Sequence, residues 1–93
     1  MDIINRIDNF AVDIYFKLTE ELNNDYIEIC EMTAAFFDNN FSTVNEIVEE
    51  KANLIEYLFN IFKSNDYIKM ADALCYTVKP ILLEAIPVVT RMN

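Results

Sequence analysis

Glycine and histidine are both missing from this 93-residue chain, and proline occurs only twice, late, at Pro80 and Pro87. Without glycine, and with so little proline, the usual punctuation of sheets and long loops is gone, so helices should dominate. A glycine-rich loop that lets backbone N–H groups approach a phosphate is excluded as well. The lack of histidine removes the commonest general base and metal ligand, and with it the Glu-x-x-His pattern by which four-helix bundles hold two metal ions. Only two cysteines are present, Cys30 and Cys75. They lack the close paired spacing of a zinc or redox motif and read as small, reduced core residues. These absences predict no catalytic residue, no metal site and no cofactor, so the chain reads as a non-enzyme.

Basic residues are also scarce, 7 Lys and Arg against 16 Asp and Glu, for a net charge of −9 at pH 7. Such a chain repels a phosphate backbone and has no basic stripe, which argues against nucleic-acid binding. It is suited instead to a basic protein surface or simply to a solvated exterior. No basic, apolar leader is visible, and charges interrupt each apolar run before the roughly 20 residues of a membrane span. The expectation is a soluble, cytoplasmic protein. Abundant Ile, Asn, Phe and Tyr with sparse Ala and Arg point to an AT-rich bacterial genome.

What is present is apolar bulk: 54% hydrophobic residues, including 5 Tyr and 7 Phe, enough for one core in a single domain, 1–93. Asn24-Asp25-Tyr26-Ile27 recurs as Asn65-Asp66-Tyr67-Ile68. Ahead of the two copies, Ile3, Ile7, Ala11, Ile14 and Leu18 align with Val44, Val48, Ala52, Ile55 and Phe59, keeping one helix side apolar. Each Asp then precedes a new apolar-periodic run, where it can cap a helix N-terminus. The chain thus reads as one helical hairpin written twice, about 1–40 and about 41–93.

The first helix is expected over about Ile3–Leu22 and the second from Tyr26 to about Asp38, closing at Asn39-Asn40 in left-handed geometry. A third begins near Ser42 or Thr43, with Thr43 and Glu46 as a capping box, and runs to about Lys63. The fourth carries Ile68, Ala71, Cys75, Val78, Leu82, Ala85 and Val89 on its inner side. Pro80 and Pro87 fall opposite that stripe, facing solvent. They either bend one long helix around the core or mark a break at Lys79 with a fifth helix starting at Pro80. The fold class is therefore all-α, a four-helix bundle of two related hairpins with a long last helix kinked at both prolines.

The segment from Asp66 to Glu84 resembles the end of small acidic helical proteins of low-GC Gram-positive bacteria, through Asp66, Ile68, Ala71-Asp72, Leu74, Tyr76, Pro80 and Leu82-Leu83. That family resemblance implies an accessory or adaptor role in motility or surface assembly, and it carries over no functional residue.

The third helix is the most promising place for function. Val44, Val48, Ala52, Ile55, Phe59 and Phe62 form one apolar stripe, and Ile47, Leu54, Leu58 and Ile61 a second, about 110° away. The second stripe either completes the internal core or serves as a dimer seam or a groove for a partner helix. Glu46, Glu49 and Glu50 lie on the polar half of the same helix. Phe16 sits opposite the first helix's stripe, and Phe16, Tyr15 or Tyr57 clustered with acids would form an anchor with a charged rim. The candidate interaction surface is Ile47, Leu54, Leu58, Ile61, Phe16, Glu46, Glu49 and Glu50. Its expected use is as an adaptor or chaperone-like module for a protein partner, self-associating as a homodimer. The alternative is an acidic inhibitor or immunity-type protein that blocks a basic partner.

Overall fold

The computed structural model describes residues 2–47 and 51–92, with the side chains of all of these except Asp2, Thr43, Glu46, Ile47, Lys51, Ala52, Arg91 and Met92. The chain is all-α. Its helices are α1 (Asp2–Asp13), α2 (Thr19–Asn39), α3 (Phe41–Ile47), α4 (Lys51–Lys63), α5 (Tyr67–Ala73) and α6 (Lys79–Met92), with a π-helical turn, Leu74–Val78, joining the last two into one rod. No strand occurs among the described residues.

Helix α1 packs on α2 along one side and on the C-terminal rod along the other, while α4 packs on both α2 and α5. Helix α3 covers one end, against α6 and α2. Between them Ile3, Ile7, Phe10, Leu22, Ile29, Phe37, Val44, Leu58, Met70, Leu74, Val78 and Leu82 are almost wholly removed from water, each large side chain contributing about 1.5–3 kcal/mol of transfer free energy. Tyr26 lies at the centre. Its hydroxyl donates to the Leu58 carbonyl at 2.6 Å, and its ring stacks on Phe62 at 6.1 Å and tilts against Phe10 at 5.8 Å.

Several sequence expectations are corrected. The first helix stops at Asp13, not near Leu22. Ile14, Tyr15 and Phe16 place apolar side chains on consecutive positions, which no single helix face can bury. The chain instead tightens, with Tyr15 N–H donating to Val12 and Phe16 N–H to Asp13. Leu18 then adopts an extended conformation and α2 begins at Thr19, its first turn holding Glu20 and Glu21 against the positive dipole end.

Consequently the first Asn-Asp-Tyr-Ile copy lies inside α2, and only the second starts a helix. Asp66 caps α5 by accepting from the Lys69 N–H at 3.1 Å. The difference comes from what precedes each copy: acids upstream of Asp25 have already opened a helix, whereas Ser64 closes α4 onto the Ile61 carbonyl and Asn65 takes a left-handed φ of 56°. The left-handed residue is therefore Asn65 and not Asn39 or Asn40. Asn40, at φ −127°, ends α2 by donating its backbone N–H and its side-chain amide to Phe36.

Helix α3 already begins at Phe41, with Val44 N–H donating to Asn40, so Thr43 stands inside a helix rather than at a cap. In α4 the two expected stripes are not separated: Leu58 of the second is fully buried, Leu54, Ile55, Ile61 and Phe62 from both are half-buried against the core, and Phe59 of the first is exposed. In the rod, Ala71, Val78, Leu82 and Ala85 are buried as expected, but Ile68 is exposed and Met70, Ala73 and Leu74 are buried in addition. The π turn accounts for this, because it holds more residues per turn and rotates α5 relative to α6. It also lies directly before Pro80, with Lys79 N–H donating to Leu74 in the longer π pattern. Pro80 and Pro87 both face solvent.

Candidate interaction surface

The sequence candidates separate in space. Leu58 is sealed in the core and cannot contact a partner. Leu54 and Ile61 are half-buried, packed against the core. Phe16 is 81% exposed. The side chains of Ile47 and Glu46, and residues Glu49 and Glu50, lie outside the described residues, so four of the eight candidates have no place in the structural picture.

Phe16 is not alone. Tyr15 and Leu18, on either side of it, are each 73% exposed, and Val12 in the last turn of α1 is also exposed. The start of α5 reaches the same end of the molecule. Lys17 joins Asp25, Tyr67 donates to Asn23 at 3.0 Å, and both acceptors lie in the early turns of α2. The exposed Ile68 next to Tyr67 therefore belongs to this end too. With 150–250 Å² for each aromatic, this apolar end presents on the order of several hundred Å², the size at which a patch on a monomer is usually functional.

The turn that carries the patch is bridged to both helices. Lys17, between Phe16 and Leu18, bridges Asp13 at 3.2 Å and Asp25 at 2.8 Å, tying the turn to both helices. Its hydrogen bonds to Asp25 and Asp13 raise the lysine pKa above its ordinary 10.5. The cation is thereby spent internally, and the exposed Glu20 and Glu21 form the rim on the α2 side. Helix α2 as a whole carries Glu20, Glu21, Asp25, Glu28, Glu31 and Asp38 and no Lys or Arg. Beside the turn, a pocket of about 440 Å³ lies between α1 and α2, lined by Arg6, Lys17, Asp13, Asp25, Phe10 and Ile29 among others. Arg6 is tied to Glu28 at 2.7 Å, so both cations of that pocket already have carboxylate partners.

The sequence marks Tyr15 as a companion anchor to Phe16, whereas it does not mark Leu18, Val12 and Ile68 as surface residues of this kind. The legible signal was the run Ile14-Tyr15-Phe16, whose consecutive apolar positions break helical periodicity just before Thr19-Glu20-Glu21 opens a helix.

Neither cysteine is set up for chemistry. Burial pushes the Cys30 thiol from 9.0 up to about 11, and burial also raises Cys75, the direction opposite to activation. Both thiols are free. Among the described residues no group of Cys, Asp and Glu side chains is gathered as a metal site.

Tyr67–Thr90 is a helix long and apolar enough to cross a membrane by length and composition; its most apolar 18-residue stretch has mean hydropathy 1.4, and 28% of that stretch is buried within the fold. No protein-family model matches the chain, and neither curated proteins nor solved structures give a match.

Proposed function

We propose that this chain is a non-enzymatic protein-interaction module that presents Phe16, flanked by Tyr15 and Leu18 and rimmed by Glu20 and Glu21, to a basic protein partner. The observation that carries the reading is the near-complete exposure of these three large side chains in a turn tied down by Lys17. A turn whose backbone is restrained loses less conformational entropy on binding than a free loop, and aromatic anchors dominate interface energetics. The packing of α1, α2, α4 and the C-terminal rod around Tyr26 supports a four-helix bundle as the rigid support. Two free thiols support a reducing, cytoplasmic setting.

A second reading, an acidic inhibitor or immunity-type protein, is favoured by one observation: α2 carries six acids and no base. A photocross-linking residue at position 16 and another at position 31 on α2, each irradiated at low and high salt in a clarified extract of cells that produce the chain, separates the two. The anchor reading expects a discrete adduct at 16, abolished by Leu18→Ser and only weakened by high salt. Adducts at 31 alone, lost at high salt, favour the inhibitor reading. Indiscriminate or absent adducts at both sites sink the proposal.

A further inference from the structure

The outer face of the C-terminal rod has an arrangement that the end patch does not use. Tyr76, Pro80, Leu83 and Pro87, spaced four, three and four residues apart, are all exposed. They form an apolar stripe along one side of a helix whose other side is sealed in the core by Leu74, Val78, Leu82 and Ala85. Beside the first half of this stripe runs an open groove of about 510 Å³ between α4 and α5, lined by Tyr57, Ile61, Ala73, Tyr76 and Thr77 with Lys69 and Asp72 at its polar edge. A projecting apolar ridge and a partly apolar groove edged by Lys69 and Asp72 therefore lie one after the other along the same rod.

Charge points to what covers them. The chain carries −9 overall, yet residues 67–90 hold Lys69 and Lys79 against Asp72 and Glu84, a sum of zero. This is the face on which two copies can meet without the repulsion their α2 helices would create. Lys79 is tied to Asp8 at 2.6 Å, while Lys69 and Glu84 are exposed and have no ion-pair partner among the described residues. They lie 15 residues apart, roughly 22 Å along the axis, with Tyr76 and Thr77 midway.

We infer that two copies of this chain pair through their C-terminal rods, antiparallel about a two-fold axis near Tyr76, with Lys69 of each copy facing the partner's Glu84. That register sets Pro80 of one copy opposite Ala73 of the other and seats Leu83 in the groove beside Tyr57 and Ile61. The interface is self-complementary, as a two-fold contact must be. A membrane is the other chemistry such a helix could meet, but inserting the rod would strip Leu74, Val78 and Leu82 from the core, whereas pairing uses only the uncovered side. The pairing uses none of Phe16, Tyr15 and Leu18.

The test is light scattering on the full-length, reduced protein over a concentration series, with circular dichroism to confirm that each variant is folded. A dimer is expected. Leu83→Glu should weaken it at least tenfold, and Lys69→Glu or Glu84→Lys alone should weaken it several-fold. The double exchange Lys69→Glu/Glu84→Lys should restore it, a recovery that a merely destabilised fold does not produce. Leu18→Glu should leave it unchanged. A monomer at every concentration overturns the inference, as does a dimer indifferent to these changes or one lost with Leu18→Glu. Sedimentation of a monomer with phosphatidylcholine vesicles, abolished by Leu83→Glu, would assign the face to lipid instead.

Discussion

Asp25 and Asp66 hold equivalent places in a repeated tetrapeptide, yet one anchors a lysine and the other caps a helix. Removing the cap leaves the Lys69 N–H without its acceptor. Asp66→Ala should therefore lower stability by about 1 kcal/mol in urea unfolding, while Asp25→Ala, which removes one of two carboxylates on an exposed lysine, should shift the midpoint far less. Equal losses would restore the idea of two matching helix starts. The cysteines make a second contrast. Cys30 is sealed beside Tyr26, and Cys75 is only half-buried on the rod. Alkylation of the native protein at pH 8 should label Cys75 first and reach Cys30 only as the protein unfolds. Mass spectrometry of the labelled peptides reads the order directly, and early labelling of Cys30 would remove it from the core.

Among the elements, the C-terminal rod shows what a sequence pattern can carry and where it fails. The buried series Met70, Leu74, Val78 and Leu82 advances in steps of four, too long to stay on one side of a regular α-helix. A π turn absorbs the drift, and the steps of four were the readable trace of it. The all-α class, the outward prolines, the Asp66 cap and the buried Ala71, Val78, Leu82 and Ala85 were legible because each depends on local chemistry or helical phase. The end of α1 and the exposure of Phe59 beside a sealed Leu58 on α4 were not, because they depend on which apolar side chains find a neighbour. Shortening the rod tests the π turn. Deleting Thr77 converts the steps to four, three and four, so the deletion combined with Pro80→Ala should keep its helical signal and melt within a few degrees of the parent. With Pro80 retained, the ring would meet a carbonyl in tight α geometry, at about 3 kcal/mol. Deleting Ala35 from α2 turns Phe36 and Phe37 by about 100° out of the core and should be far more damaging.

For the whole molecule, the folded state holds several protons more tightly than the unfolded chain. Burial raises Cys30 from 9.0 to about 11 and raises Tyr26 as well, while carboxylate partners raise Lys17 and Lys79. The sign is the same for all: their contribution is fully present below the unfolded values and is lost as pH rises through the folded ones. The urea midpoint should thus be flat from about pH 6 to 8 and fall between about 9 and 11. Cys30 alone accounts for on the order of 2–3 kcal/mol, and Cys30→Ala should flatten that part of the curve. A flat profile to pH 11 would contradict the buried thiol. The packing of α1 against the C-terminal rod also sets a schedule during synthesis. Asp8 meets Lys79, 71 residues downstream, so at ribosomal speeds the side of α1 that faces the rod waits roughly 4 to 14 s after its own synthesis, covered on its other side by α2 alone. In that interval the nascent chain is a sticky amphipathic segment, and its survival depends on whatever holds it near the ribosome.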